Sequence, residues 1–402
     1  MNIKGNAIIA QGGGPTAVIN QSLAGAVIEM KKHKEITAIY GALHGVRGII
    51  DENFLDLTNA SQENLEAVAQ TPCAALLSTR DKPDQEYCKK IFQVFKKYDI
   101  RYFFYIGGND SSDTVRLVNE YAENENYDFK AFHIPKTIDN DLVINDHTPG
   151  FGSAARFVAQ AFMGVNLETK ALDGIYIGIV MGRHAGFLTA ASALGRRNED
   201  DGPHLIYLPE RPFNMDAFLK DVEVVYKKLG RCVIAVSEGI IDEEGTPIAA
   251  KLKANVSRDS HGNIELAGGE LGDMLTKAVK ENLNIKRVRA DTFGYLQRSF
   301  PGSISDTDQK EARLAGMAAV QFAMMEDYQS GSVILDRVGD YEIQYTLTQL
   351  ENIAAKTKHM SDEFINEEGN NITEAFIKYA APLIGTDFKK TVSLDAPIVK
   401  KI

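Results

Sequence analysis

Two aspartates two residues apart, Asp139 and Asp141 in "PKTIDNDL" (135–142), carry the clearest chemical signal in this chain. On an extended segment both side chains point the same way, which suits a divalent cation or a hydroxyl that must lose its proton. An Asp-rich turn capping the segment after it would carry the same residues. A second polar stretch, "YIGGNDSSDT" (105–114), sets Gly107 and Gly108 after an apolar run, as in an anion-binding turn, and then places Asn109, Asp110 and Asp113. Carboxylates stand where an anion would be expected.

Other groups complete the set. Gly12, Gly13 and Gly14 in "AQGGGPTAVIN" separate an apolar run from a helix-like stretch, where bare N–H groups and a helix dipole hold anions; a tight turn needs the same glycines. "MGRHAGFL" (181–188) offers Met181, Gly182, Arg183 and His184, a clamp for phosphate or hydroxyl, or else a surface ion-pair partner beside a helix-start residue. Glu238 in "VSEGI" sits where a strand-end acid faces a ligand or caps a turn. In "RADTFGYLQR" (289–298), strand alternation puts Arg289, Asp291, Phe293 and Tyr295 on one face, with Arg298 beyond, a set suited to a sugar phosphate. Arg80 lies in the loop "LLSTRDKPD".

The elements that must position these groups follow a βα rhythm. Short β-branched or aromatic runs are predicted as strands at 7–10, 101–106, 130–134, 174–180, 204–208, 231–236 and 289–296. Helices are predicted at 153–172, 185–195, 214–229, 271–284 and 306–328. Near-continuous apolar strands suit a parallel sheet covered on both faces, so the pattern predicts α/β, doubly wound, with two such sheets and sites at the carboxyl ends of strands. The stretches 242–247, 258–269 and 361–371 read as exposed loops. Residues after 330 lack strong glycine turns and read as a structural or interface appendage.

Composition narrows the class. The 402 residues are 44 % hydrophobic and 25 % charged, with a formal charge of −11, which argues against nucleic-acid and anionic-membrane binding. Three scattered cysteines form neither a disulfide framework nor a C-x-x-C site, and the apolar run at 7–10 is too short for a signal peptide or a membrane span. A cytoplasmic protein is expected. No Gly-x-x-x-x-Gly-Lys-Ser/Thr loop and no Gly-x-Ser-x-Gly elbow occurs. The residues alone reach a protein for small phosphorylated ligands and a divalent metal, without fixing the reaction.

The ordered series "GGNDSSDT", "PKTIDNDL", "MGRHAG", "SEG" and "GYLQR" resembles the phosphofructokinase family, most closely its pyrophosphate-dependent branch. The resemblance implies two Rossmann-like, doubly wound parallel-sheet domains with the active site in the cleft between them. Residues 1–150 would hold phosphoryl donor and metal, 151–300 would hold fructose 6-phosphate, and a mainly helical 301–402 would pack across the domains or at an interface. It implies reversible transfer of a phosphoryl group from pyrophosphate to the 1-hydroxyl of fructose 6-phosphate, a glycolytic step. An ATP-dependent 6-phosphofructokinase and a catalytically silent phosphosugar-binding subunit are the alternatives.

By the same resemblance Asp139 is the base, assisted by Lys136, with Thr137, Ile138 and Asp141 in the same loop. Met181, Gly182, Arg183, Glu238, Arg289, Tyr295 and Arg298 match acceptor-binding positions. Gly13, Arg80, Asp110 and Lys136 match the donor side, and Asn109 the metal side, with Mg²⁺ as the cofactor. Because some family arginines reach across from a neighbouring subunit, a homodimer or homotetramer is expected. ATP users resemble Gly-Gly-Asp-Gly-Ser and Pro-Gly-Thr-Ile-Asp-Asn-Asp. Here Asp110 and Lys136 replace a glycine of each, so Asp110 would exclude ATP by bulk and charge while Lys136 adds a cation for pyrophosphate. Asn109, Gly174 and Tyr295 depart from the common Asp, Arg and His. Sedoheptulose 7-phosphate stays open as a second acceptor.

Overall fold

A computed structural model describes residues 3–252, 269–389 and 391–400; of the stretch 258–269, all but its last residue lies outside them. The described strands are, in chain order, β1 (Gly5–Gln11), β2 (Ile36–Ala42), β3 (Phe54–Asp56), β4 (Ile100–Gly107), β5 (Lys130–Pro135), β6 (Gly174–Val180), β7 (Leu205–Tyr207), β8 (Arg231–Ser237), β9 (Val288–Thr292), β10 (Ser330–Val338) and β11 (Glu342–Thr348). They form two sheets, β11-β10-β5-β4-β1-β2-β3 and β7-β8-β6-β9.

Alternation along the strands explains why both sheets are covered on both faces. Ala7, Ile9, Phe104, Phe132 and Ile134 share a core with Leu23 and Val27 of the helix Ile19–Met30 and Ala315 and Ala319 of the helix Asp306–Ala323. Their neighbours Ile8, Ala10, Phe103, Tyr105 and Ala131 face Phe92 and Phe95 of the helix Gln85–Lys97 and Val115 and Val118 of the helix Asn109–Asn124. The second sheet repeats this design. Tyr176, Val180 and Val233 meet Phe162 of the helix Phe151–Leu172, whereas Ile177, Ile234 and Val236 meet Phe218 and Val222 of the helix Met215–Leu229 and Leu275 of the helix Glu270–Leu283. Apolar residues on both strand faces leave the polar strand ends as the place for ligands.

Several expectations need correcting. The first sheet is mixed, because β3 and β11 run antiparallel to their neighbours at the two edges. β10 joins the parallel core beside β5, so the C-terminal region, which holds more helix than strand, also contributes two strands to the first sheet. The long helix ends at Ala323 rather than 328, and 185–195 is one helical turn, Phe187–Ala190, continued as a 3₁₀ segment. The strand predicted at 289–296 stops at Thr292: Gly294 adopts φ 51°, and Gly294–Gln297 form a 3₁₀ turn. Tyr295 therefore does not share a strand face with Arg289.

Candidate active site

Parallel strands point their carboxyl ends one way, and the turns after β1, β4 and β5 open on the same cleft as those after β6, β8 and β9. Its volume is about 670 Å³. From the first sheet it is lined by Gly13, Arg80, Asn109, Asp110, Lys136, Thr137, Ile138, Asp139 and Asp141. From the second come Met181, Arg183, His184, Glu238, Tyr295 and Arg298.

The first-sheet half is fixed largely by backbone. Gly13 sits at φ 75°, a left-handed conformation that favours glycine, and its N–H donates to the Thr79 carbonyl at 3.0 Å. Gly107 must be glycine because a Cβ there would lie 2.0 Å from Ser111 Oγ. After it, Asn109 and Asp110 open the helix Asn109–Asn124, whose N-terminus faces the cleft. Asp113 is one turn further in and pairs with Arg116 at 2.8 Å rather than serving the helix end.

The aspartate loop is tightly folded. Asn140 takes φ 58°, so the turn of the chain, and not an extended segment, brings Asp139 and Asp141 to one cleft. The Asp139 N–H donates to Thr137 Oγ1 at 3.1 Å, and Asn140 Nδ2 donates to the Tyr379 hydroxyl at 2.8 Å. Lys136 is buried, and its ammonium donates to the Gly14 carbonyl at 2.7 Å.

Electrostatics follow from burying so many charges together. Burial pushes the Lys136 ammonium down to about 7, aided by repulsion from Arg298 and Arg80 and opposed by Asp139 and Asp141. Burial raises the Asp139 carboxyl, against Arg298, Arg183 and Lys136. Asp141 rises to about 7 through burial and the neighbouring Asp139 charge, and Glu238 reaches about 7 for the same two reasons. Such a site favours an incoming ligand that rebalances it.

Asn109 Oδ1 is buried without a hydrogen-bond partner in the protein, while Asn109 Nδ2 lies 3.3 Å from Asp141 Oδ2. An orphaned amide oxygen beside a carboxylate fits a hard divalent cation. Among the described residues no three His, Cys, Asp or Glu side chains cluster as a metal site, so phosphate oxygens and water would complete its shell.

Two expected residues do not line the cleft. Gly182 lies behind it, at φ 145°, with its carbonyl accepting the Ser237 hydroxyl at 2.5 Å. Arg289 is exposed, and its Nη1 donates to the Val288 carbonyl at 3.0 Å. It pairs with Tyr176, four residues before the cleft end of β6, which is ~13 Å along a strand. Gly174 lies at the same remote end; it adopts φ 94°, and a Cβ there would meet the Arg287 carbonyl at 2.8 Å, so a larger residue has no room.

Other lining residues escape sequence reasoning. Lys82 forms an ion pair with Asp110 at 3.0 Å, a partner foreshadowed only by its place two residues after Arg80. Thr79, Asp81, Tyr105, Ala355 and Thr357 also line the cleft and carried no signal.

Comparison with known proteins agrees with this geometry. A protein of Rhodospirillum rubrum named pyrophosphate–fructose 6-phosphate 1-phosphotransferase is 60 % identical over 383 residues, covering 95 % of each chain. One of the same name from Halomonas elongata is 37 % identical over 95 % of this chain and 93 % of its own. The crystal structure of a pyrophosphate-dependent phosphofructokinase from Nitrosospira multiformis superposes with a TM-score of 0.84 at 33 % identity, covering 98 % of this chain and 94 % of that one. The phosphofructokinase family model matches residues 6–323. That match runs from the first strand to the end of the long helix, through the strand-end turns of both sheets that line the cleft, and the chain therefore belongs to the phosphofructokinase family.

Proposed function

We propose that this chain is a pyrophosphate-dependent phosphotransferase that phosphorylates the 1-hydroxyl of fructose 6-phosphate, giving fructose 1,6-bisphosphate and phosphate. The observation that carries the reading is one cleft in which Asp139 stands between two unlike sets of ligand groups. Gly13, Arg80, Asp110 and Lys136 lie toward the first sheet; Met181, Arg183, Glu238 and Arg298 lie toward the second. We assign residues 1–150 to donor and metal and 151–300 to the sugar phosphate.

In the forward direction the sugar's 1-hydroxyl oxygen attacks the terminal phosphorus, the P–O–P bond breaks, phosphate departs, and the hydroxyl proton passes to Asp139. Charge collects on the peripheral oxygens of a loose transition state, so positioned cations supply most of the stabilisation. Lys136, Arg80 and Arg298 are those cations. Asn109 and Asp141 would hold Mg²⁺, which would supply further charge compensation. The reaction is reversible in principle, because the two phosphoryl donors, pyrophosphate in one direction and fructose 1,6-bisphosphate in the other, are energetically similar.

Arg289 faces away from its own chain's cleft and is exposed, which supports a homodimer or homotetramer in which it serves a neighbouring copy. Cys73, Cys88 and Cys232 are unpaired and the formal charge is −11; on these grounds we infer a cytoplasmic enzyme with no nucleic-acid or membrane partner. Initial rates with pyrophosphate or ATP against fructose 6-phosphate test the reading. Turnover with pyrophosphate and little with ATP is expected, and turnover with ATP alone refutes it.

A further inference from the structure

One segment of the cleft wall belongs to neither set of strand-end turns. Ala355 and Thr357 line the cleft although they lie beyond residue 323, where the family match ends. Leu350, just before them, is buried in the core that holds Val115 and Val118, so the segment runs beside the helix that begins with Asn109 and Asp110. Ala355 adopts φ 55°, a strained conformation for a residue with a Cβ, of the kind retained where surroundings impose it.

From there the chain is anchored on both sides of the cleft. Toward the first sheet, Thr357 bridges to Leu142, and the Lys358 N–H donates to the Asp141 carbonyl at 2.7 Å. The Lys358 ammonium donates to the carbonyls of Asn145 and Asp146 at 2.9 and 2.8 Å. Toward the second sheet, His359 Nδ1 lies 2.9 Å from the His184 carbonyl oxygen. The Met360 N–H donates to the Glu210 carboxylate at 3.2 Å, and that carboxylate also accepts the Gly186 N–H at 2.8 Å.

We propose that residues 355–360 form a strap that holds the aspartate loop and the 181–187 turn at a fixed separation, with Lys358 and His359 as positioning residues for phosphoryl transfer. The inference rests on the function proposed above. Neither side chain needs to touch a reacting atom: the Lys358 ammonium acts through the Asn145 and Asp146 carbonyls just beyond the aspartate loop, and so fixes its own N–H on Asp141, while His359 acts through the main chain beside Arg183. In-line transfer between two bound anions depends on that separation, since a displacement of about 1 Å of reacting groups costs on the order of a hundredfold in rate. A strap acting this way affects turnover more than the binding of either substrate alone.

The test compares His359→Ala, Lys358→Met and the double variant with the wild type, using pyrophosphate and fructose 6-phosphate, with melting temperatures measured alongside. His359→Ala is expected to lower kcat about fivefold and Lys358→Met about fiftyfold, each with both KM values within about twofold. The main-chain bonds of Lys358 and Met360 remain in every variant, but the two side chains tighten one strap in series, so slack left by the first removes what the second transmits and the double variant should match Lys358→Met within about twofold. Losses that multiply overturn the strap, as does wild-type kcat in either single variant. If Lys358→Met fails to fold, His359→Ala, whose side chain is exposed, decides alone: lowered kcat at an unchanged melting temperature supports the strap and unchanged kcat refutes it. A wild-type enzyme inactive with these substrates would instead refute the underlying functional reading.

Discussion

The two sides of the cleft are built by different means. On the donor side the ligand groups are a helix N-terminus, Arg80 and a buried lysine tied to the Gly14 carbonyl, set among glycine turns. On the acceptor side they are long side chains on short turns. Tyr295 is 68 % exposed there, with Leu296 at 64 % and Phe300 at 42 % beside it, and the Arg298 guanidinium lies 4.5 Å from the Tyr295 ring centroid. Each residue assigned to the donor half lines the cleft of one chain; the acceptor half presents an apolar, half-open rim, and its assigned Arg289 is exposed and outside that lining. Pyrophosphate offers charge but little surface, so its site must be preformed, whereas a sugar phosphate offers enough contacts to order its own.

The largest effect should come from the residue both halves share. Asp139→Asn keeps the shape of the side chain and removes its capacity to take a proton, so kcat should fall about a thousandfold. Fructose 6-phosphate binding, followed by calorimetry, should persist. Loss of binding together with turnover would mean that Asp139 organises the acceptor half instead of serving chemistry.

Lys136→Met separates the two halves. Removing the only buried ammonium that faces the donor turns among the described residues should lower kcat/KM for pyrophosphate about a hundredfold and leave the KM for fructose 6-phosphate within a few-fold. The pH profile gives a second check. Because burial brings the Lys136 ammonium down to about 7, the cation is present in the free enzyme below that pH and is lost as pH rises through it. Wild-type kcat/KM for pyrophosphate should therefore decline above pH 7, and the Met variant should lose that decline.

Arg289→Ala probes the other side. If the acceptor half is finished by a second copy, the KM for fructose 6-phosphate should rise about tenfold while that for pyrophosphate stays put. Equal change in both would break the contrast between a complete and an incomplete half.

Much of this was legible because glycine and short polar residues after an apolar run mark the end of a parallel strand. Gly13, Gly107 and Lys136 announce themselves that way. Other features depend on distant partners. β10 pairs with β5, about two hundred residues earlier, and β11 pairs with β10, and their mixed polar and apolar residues do not announce a parallel core. Ala355 and Thr357 are ordinary residues placed by hydrogen bonds to Asp141, His184 and Glu210, which no local pattern encodes. The distance of Arg289 from its own chain's cleft follows from strand direction, which the residue pattern does not reveal: it stands near the start of β9, away from the carboxyl end where that chain's ligand groups gather.

The smallest effect tests how the donor half rejects ATP. Asp110 was expected to exclude the nucleotide by both bulk and charge, but its carboxylate is 52 % exposed and paired with Lys82 at 3.0 Å. A half-exposed pair of this kind is worth at most about 1 kcal/mol, and its field is screened within a Debye length. Repulsion is therefore the weaker component, and side-chain volume at the first turn of the helix is the stronger. Asp110→Asn removes the charge and keeps the volume, so ATP should remain a poor donor. Asp110→Gly removes both and should raise kcat/KM for ATP by about tenfold, a change worth about 1.4 kcal/mol. Should the Asn variant accept ATP as well as the Gly variant, charge governs donor choice and the Lys82 pair is too weak to matter. If instead only the Gly variant gains, the donor half discriminates as it binds, through the shape of its backbone turn.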